Sequence, residues 1–145
     1  MGNCGPDAGL AVNVLTLSQE HISIMQRHVA SCIPEEGCGL LAGVENQVQL
    51  AIPVTNQDHS TVRYNMEPGE LLRAFYDIDA RGLEMLASFH SHPNGPDVPS
   101  ITDIAEFYYP GTVMLIWSRT NQNWIVKGFE ILADSFVPIE LQINA

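Results

Sequence analysis

The sequence predicts a mixed α/β fold, with one β-sheet, two main helices and one short helix in a single domain. Apolar segments of strand length alternate along the chain with segments of helical periodicity. The chain has 145 residues, of which 46% are apolar and 16% charged, so one domain with one sizeable core is expected. We place this domain at residues 12–145. Residues 1–11 are small, polar and glycine-rich, which is typical of a flexible tail.

The first predicted elements are a short strand at residues 12–17 and a helix. Ser18 stands at the N-cap position of this helix, and Pro34 ends it. Its apolar stripe has helical spacing and consists of Ile22, Met25, Val29 and Ile33. Two apolar strands, 38–44 and 48–54, follow on either side of a polar turn.

A further short strand is predicted at residues 62–65, before a second helix. Pro68 suits the first turn of that helix, which closes near Gly82. The side chains expected to point inward from it are Leu71, Leu72, Phe75 and Ile78. Residues 83–92 then read as a strand.

The last third of the chain begins with a Pro/Gly-rich loop at residues 93–99. Ser100 starts a short helix, which Pro110 and Gly111 stop. The aromatic residues 107–109 at its end either pack or line the edge of a site. Three strands complete the sheet, at residues 112–118, 124–131 and 137–143.

The charge balance excludes whole classes of partner. Six Lys and Arg residues stand against 17 Asp and Glu residues, which gives a formal net charge of −11. Nucleic acid and anionic lipid both require basic patches, so we expect neither as a partner. No apolar stretch approaches the 18 or so residues that a membrane span requires.

The cellular compartment predicted from the sequence is the cytoplasm. The N-terminal residues have neither a positive segment nor a long apolar segment, so a secretory signal is not expected. The three cysteines, Cys4, Cys32 and Cys38, form an odd set without a CxxC pair. Free thiols in a reducing compartment are the simplest account of them.

The residues that indicate chemistry are His90, His92 and Asp103. Histidines at positions i and i+2 of a strand point to the same face, with their Cα atoms about 6.6 Å apart, so both rings can reach one ion. Two histidines, one aspartate and an open fourth position are typical of a catalytic zinc site. Two alternatives remain: Asp97 competes as the carboxylate ligand, and Asp103 also fits a capping box with Ser100.

Two separated motifs together resemble the JAMM (MPN+) metalloprotease family. One is His90-Ser-His-Pro followed by Ser100 and Asp103 at fixed spacing, and the other is a Glu-x-x-Gly segment that begins at Glu36. The predicted order of strands and helices also resembles the MPN/JAB-like fold, a cytidine-deaminase-like sandwich. The resemblance extends from about residue 12 to the end of the chain.

The resemblance implies a role for each site residue. His90, His92 and Asp103 would bind one zinc ion. Glu36 would hold the zinc-bound water, accept its proton and pass it to the leaving amine. Ser100 would donate a hydrogen bond to the oxyanion of the tetrahedral intermediate. Glu35 is the alternative to Glu36, since only one of two successive strand residues can face the metal.

The function that the resemblance implies is a zinc-dependent hydrolase. It would cleave a peptide or isopeptide bond at the C-terminal tail of a ubiquitin-like or sulfur-carrier protein. The short chain resembles the compact prokaryotic branch of the family. Two alternatives are a non-catalytic MPN scaffold and a RadC-like protein, whose HxHP…PS…D motif is similar.

Overall fold

The predicted mixed α/β class is confirmed in a computed structural model, which describes residues 14–145. The predicted tail at residues 1–11 lies outside this range. The described strands are β1 (Val14–Ser18), β2 (Cys38–Val44), β3 (Gln47–Val54), β4 (Glu84–His92), β5 (Val113–Thr120), β6 (Asn123–Ile131) and β7 (Phe136–Asn144). The described helices are α1 (Gln19–Cys32), α2 (Pro68–Ala80) and α3 (Ile101–Ala105).

All seven strands join one sheet, in the order β1-β3-β2-β4-β5-β6-β7. Strand β7 pairs in parallel with β1, from Val14↔Glu140 to Ser18↔Asn144, so the sheet closes into a barrel. Strands β4 and β5 are also parallel, and the chain crosses between them through α3. The closure leaves neither β1 nor β7 as an unpaired edge.

Two large apolar clusters occupy opposite faces of the sheet. One joins α1 to the inward side chains of the strands and includes Met25, Leu41 and Phe89. The other joins α2 to alternate residues of β2, such as Leu40 and Ala42. Because successive strand residues face opposite sides, β2 contributes to both clusters and is buried almost throughout.

The predicted start of α1 is confirmed at Ser18. The Ser18 hydroxyl accepts a hydrogen bond from the His21 backbone N–H at 3.2 Å, and His21 Nδ1 accepts one from the Ser18 N–H at 3.1 Å. This reciprocal pair satisfies N–H groups that a helix start leaves unpaired. The helix buries Ile22, Met25 and Val29 as predicted, and it ends one residue before Ile33.

The strand predicted at residues 62–65 is wrong. This segment is irregular, and the nearest strand pairing is an isolated bridge between Asn56 and Met66, the residue that follows the segment. The buried Asn56 side chain takes the place of a strand partner, because its amide donates to the Arg63 carbonyl and its oxygen accepts from the Asn65 N–H. A polar side chain that satisfies the backbone in this way competes with a sheet ladder.

Two further expectations need correction in the helices. In α2 the inward stripe is centred on Ala74 and Ile78, and Leu72 is exposed, because Leu72 lies about 100° around the helix from Leu71. Helix α3 ends at Ala105, well before Pro110, and the residues between them are not helical. No helix within residues 14–145 is long and apolar enough to cross a bilayer.

Candidate metal centre

Strand β4 and helix α3 bring the three predicted ligand side chains together. His90 and His92 lie two residues apart on β4 and are almost fully buried. The two Nε2 atoms are 3.2 Å apart, and each is 3.0 Å from Oδ2 of Asp103. The two imidazole nitrogens and the carboxylate oxygen therefore converge on one point.

This donor set fits a divalent cation. Ligand atoms at about 2.0–2.1 Å from a tetrahedral zinc ion are separated by about 3.3 Å, close to the observed 3.0–3.2 Å. Nδ1 of His92 lies 2.7 Å from the Pro96 carbonyl and donates to it, so that Nε2 of the neutral ring is free to bind a cation, whereas Nε2 of the protonated ring donates to Asp103. Without a cation or bridging protons, three acceptor atoms would face one another in a buried site.

The pKa of Asp103 is lowered, that of His90 is lowered and that of His92 is raised. Burial alone would raise the pKa of Asp103, but hydrogen bonds from the two histidines hold it well below its usual range. Burial lowers the pKa of His90, which favours the neutral ring. For His92, burial is outweighed by the hydrogen bonds to Asp103 and Pro96, and its pKa is raised. The aspartate thus stays ionised, which is the form in which a carboxylate can bind a metal ion.

Glu36 lies next to this cluster. The antiparallel register pairs Cys38 with His90, so the chain just before β2 runs along His92. A carboxylate oxygen of Glu36 is within 4.8 Å of a ring nitrogen of each histidine. The side chain is buried, and its Oε1 has no hydrogen-bond partner. Burial raises the pKa of Glu36 to about 8, with His92 opposing the shift and Asp103 adding to it.

The two alternative carboxylates point elsewhere. Glu35 lies 3.1 Å from Nδ1 of His59 at the surface, on the other side of the backbone from Glu36. Asp97 forms an exposed ion pair with Lys127, and this hydrogen bond lowers its pKa. Neither belongs to the buried cluster.

Ser100 combines with Asp103 in the capping box that the sequence suggested. Its hydroxyl accepts from the Asp103 N–H at 2.9 Å, and its own N–H donates to Asp103 Oδ2 at the same distance. The short helix therefore fixes the carboxylate that meets the histidines. Since the serine oxygen uses only an acceptor site here, its proton remains free to donate.

Sequence reasoning missed the side chains that hold this site in place. Ser91 stands between the two histidines on the opposite face of β4, and its hydroxyl accepts from the Gly37 N–H at 2.8 Å. Asn56 donates to the Glu36 carbonyl at 3.0 Å. Both contacts fix the peptide unit that joins Glu36 to Gly37. The serine between the two histidines was visible in the motif, whereas nothing in the local sequence distinguishes Asn56.

Tyr64 was also missed. Its ring stacks on His90, with centroids 4.4 Å apart and an interplanar angle of 27°. Burial raises the pKa of Tyr64, so the phenol is neutral. The side chain forms a wall between the cluster and a neighbouring cavity.

That cavity has a volume of about 300 Å³ and opens beside Asp103. Its lining includes Tyr64, Leu71, Asp103, Phe107, Tyr108 and Tyr109. The aromatic segment 107–109 therefore lines the edge of the site, one of the two readings that the sequence left open. The lining combines aromatic and aliphatic side chains with polar groups such as Arg63 and Asp103, a combination that a binding site can use for orientation.

The remaining histidines and cysteines of the described residues take no part in the cluster. His21 caps α1, and the half-buried His28 lies 3.2 Å from the Val54 carbonyl. Cys32 and Cys38 are free thiols. Burial raises the pKa of Cys38 to about 12, so it packs as a neutral thiol in the core. Cys4 lies outside the described residues.

Comparison with known proteins finds a matching family and several relatives. Residues 18–129 match the family described as prokaryotic homologs of the JAB domain. A probable TtuB-protein conjugate cleaving protease from Thermus thermophilus is 36% identical over 72% of this chain and 71% of its own length. A desampylase from Pyrococcus furiosus is 33% identical over 88% and 92%. A CysO-cysteine peptidase from Mycobacterium tuberculosis is 30% identical over 83% and 85%.

Solved structures show the same fold. A protein from Desulfitobacterium hafniense superposes with a TM-score of 0.81 and 32% identity, over 90% of this chain and 92% of that one. A structure described as JAMM, a metalloprotease-like zinc site in the proteasome and signalosome, superposes with a TM-score of 0.59 and 17% identity, over 91% and 99%. At that identity the second likeness concerns the fold alone.

Proposed function

Because the chain belongs to the family of prokaryotic homologues of the JAB domain, we propose that it is a zinc-dependent peptidase or isopeptidase. Its substrate bond lies at the C-terminal tail of a ubiquitin-like or sulfur-carrier protein. The observation that carries the proposal is the convergence of His90, His92 and Asp103 beside the buried, unpartnered carboxylate of Glu36.

The substrate class follows from the relatives. They are named as a protease that cleaves TtuB-protein conjugates, a desampylase and a CysO-cysteine peptidase. Hydrolysis of an amide bond is the step that a peptidase and a conjugate-cleaving protease share. We propose the same step for this chain, with a protein as substrate and with neither nucleic acid nor a membrane as partner.

His90, His92 and Asp103 would hold one zinc ion, with a fourth position open to water or substrate. Bound zinc at such a site lowers the pKa of its water and polarises the scissile carbonyl. The reaction also needs a group that accepts the proton of the attacking water. Glu36 supplies it, because its carboxylate lies at the cluster and makes no competing hydrogen bond through Oε1.

The protein's own groups then complete the reaction. Glu36, once protonated, delivers its proton to the departing amine, so that the carboxylate is regenerated. The Ser100 hydroxyl donates a hydrogen bond to the oxyanion of the tetrahedral intermediate while it keeps the Asp103 N–H as its donor. The free thiols Cys32 and Cys38 support a cytoplasmic location for this activity.

The test of the metal site is the zinc content of purified protein, measured by mass spectrometry of the metal. We expect about one zinc ion per wild-type chain. The His92→Ala and Asp103→Ala variants should lose it, whereas Asp97→Ala, the matched control, should keep it. A wild-type chain that binds no zinc even when zinc is supplied would refute the enzyme and favour a scaffold.

The test of the reaction uses the substrates for which the relatives are named. Wild-type protein is incubated with CysO that carries a C-terminal cysteine and with a TtuB conjugate, and the released product is measured by mass spectrometry. Glu36→Gln should keep zinc and lose activity, and Glu35→Gln should keep both. Full activity of Glu36→Gln would exclude Glu36 as the base.

A further inference from the structure

The two histidines of the metal cluster differ in the contacts of their second ring nitrogens. Nδ1 of His92 donates to the Pro96 carbonyl at 2.7 Å. Nδ1 of His90 is buried and has no hydrogen-bond partner among the described residues. A histidine that binds a metal through Nε2 usually donates its Nδ1–H to an oxygen atom, and this hydrogen bond fixes the orientation of the ring. His90 therefore needs another contact to fix its ring.

The ring of Tyr64 makes such a contact. It stacks on the His90 ring, with centroids 4.4 Å apart and an interplanar angle of 27°. On this ring a stacked neighbour restricts rotation about the Cβ–Cγ bond, because a rotated imidazole would collide with the face of the tyrosine. The stack thus keeps Nε2 of His90 directed at Oδ2 of Asp103, 3.0 Å away.

Tyr64 is itself held from both sides by Asn56. The Asn56 amide donates to the Arg63 carbonyl at 3.1 Å, and the Asn56 side-chain oxygen accepts from the Asn65 N–H at 3.0 Å. The two residues that flank Tyr64 are thus bound to one buried side chain. The same amide donates to the Glu36 carbonyl at 3.0 Å. Asn56 therefore connects the backbone of the proposed base to the backbone that carries Tyr64.

Packing in the core is a second role of Tyr64, and it has to be separated from the stacking contact. Tyr64 and Phe75 are both partly buried and pack against the same apolar cluster beside α2. The ring centroid of Phe75 lies 6.2 Å from that of Tyr109, whereas the ring of Tyr64 lies on His90. A comparison of these two aromatic residues therefore separates packing from contact with a metal ligand.

We propose that Tyr64 is a positioning residue for the metal centre, whose ring fixes the orientation of His90 in place of the hydrogen bond that Nδ1 lacks. This inference rests on the part of the proposed function that assigns zinc to His90, His92 and Asp103. It gives the two histidines different supports: a backbone carbonyl for His92 and an aromatic face for His90. The role requires the flat ring of Tyr64 and not its hydroxyl group.

The experiment measures the zinc affinity of the protein by competition with a chromophoric chelator. Tyr64→Leu removes the ring and keeps an apolar side chain, Tyr64→Phe keeps the ring, and Phe75→Leu is the matched control from the same apolar cluster. We expect Tyr64→Leu to raise the Kd for zinc about tenfold or more, the usual effect of removing a group that orients a metal ligand. Tyr64→Phe and Phe75→Leu should match wild type.

A second readout separates ligand orientation from general stability. Co²⁺ is bound in place of zinc, and its visible absorption spectrum depends on the geometry of its ligands. The spectrum of Tyr64→Leu should differ from that of wild type, and the spectra of Tyr64→Phe and Phe75→Leu should not. An unchanged zinc Kd or Co²⁺ spectrum in Tyr64→Leu, or changes of equal size in Phe75→Leu, would overturn the proposal.

Nuclear magnetic resonance of the zinc-loaded wild type tests the same point without a substitution, so the proposal can be decided even if Tyr64→Leu does not fold. The ring N–H of His92, which donates to a carbonyl, should resonate further downfield than the ring N–H of His90, which lies against the shielding face of Tyr64. A His90 N–H signal as far downfield as that of His92 would show that Nδ1 has an acceptor, and Tyr64 would not be needed to orient the ring.

Failure of this proposal can be separated from failure of the proposed function. A wild type that binds zinc but cleaves neither CysO nor a TtuB conjugate would refute the peptidase, and the zinc affinities of the variants would still decide the role of Tyr64. An active wild type with an unchanged zinc Kd in Tyr64→Leu would support the peptidase and refute the role of Tyr64. A wild type that binds no zinc would refute both.

Discussion

The Glu36 carboxylate is a costly group in the metal-free protein. It is buried, one of its oxygens has no partner, and its pKa is raised to about 8. Burying an ionised carboxylate without partners lowers stability, so a group of this kind is a candidate for a chemical role. The neighbouring Glu35 shows the contrast, since it pairs with His59 at the surface.

A pH-dependent gain in stability is therefore predicted for Glu36→Gln in the presence of a chelator. Between the unfolded pKa near 4.5 and the folded pKa near 8, the native wild type binds more protons than the unfolded chain, so its stability falls as pH rises. The variant lacks this term. It should gain little at pH 5 and about 2 kcal/mol at pH 9.

Urea unfolding at pH 5, 7 and 9 measures this difference, with Glu35→Gln as the matched control. The control should follow wild type at each pH, because its carboxylate is only partly buried and has a partner in His59. A Glu36→Gln variant whose stability relative to wild type is the same at all three pH values would show that the carboxylate is not desolvated.

Strand β4 positions the site, because the side chains on its two faces make different contacts. One face presents His90 and His92 to the cluster, and the other directs Ser91 to the Gly37 N–H. The strand also carries Ser88, which is equally buried but has no hydrogen-bond partner for its hydroxyl. One strand thus contains two buried serines in opposite energetic situations.

Replacing each of these serines by alanine should separate the two situations. Ser91→Ala removes the acceptor of a buried N–H and should cost about 1–3 kcal/mol of unfolding free energy. Ser88→Ala removes a hydroxyl that is already unpartnered, and it should be neutral or slightly stabilising. Urea unfolding measures both, and equal losses in the two variants would show that the Ser91–Gly37 contact contributes nothing.

The sequence predicted most helices and strands, because capping residues, apolar spacing and turn residues are local features of the chain that determine where these elements begin and end. Ser18 before an apolar stripe gave the start of α1, and the residues around the 45–47 turn gave the β2–β3 hairpin. The strand predicted at 62–65 failed because its backbone is satisfied by Asn56. Asn56 lies on another segment of the chain, so the pattern of residues 62–65 gives no indication of this contact.

The residues of the candidate site also fall into two groups, those that local spacing predicted and those that only tertiary contacts bring to the site. The spacing of His90, His92 and Asp103 is local, and the structure brings all three together as the motif suggested. The choice of Glu36 came only from the resemblance, because its position depends on the pairing of β2 with β4. Tyr64 reaches His90 through tertiary packing, so sequence reasoning had no signal for it.

At the scale of the whole molecule, the main hydrophobic core and the candidate metal site consist of different residues. The closed sheet buries an apolar cluster from α1 and five strands, β1 to β5, and this cluster does not include His90, His92 or Asp103. The closure depends on pairing β1 with β7, whose partners Val14 and Glu140 are far apart in sequence. The local sequence of β1 or of β7 gives no sign of this pairing, so the closed barrel was not predicted.

This separation predicts how the protein responds to metal removal. Small zinc domains unfold without their ion because they lack a sufficient core, whereas this chain has one. Excess EDTA should therefore lower Tm without unfolding the protein at 25 °C. Zinc at about a hundred times its Kd contributes about 2.7 kcal/mol, which corresponds to a change in Tm of roughly 5–10 °C.

Differential scanning calorimetry of the wild type with zinc and with EDTA measures this change, and far-UV circular dichroism at 25 °C reports whether the fold persists. Asp103→Ala is the control, since it should show the same Tm under both conditions once its ligand is gone. Unfolding of the wild type by EDTA at 25 °C would mean that the ion is part of the fold. We expect the other outcome, because His90, His92 and Asp103 would supply three protein ligands, the number that is typical of catalytic zinc sites and not of structural ones.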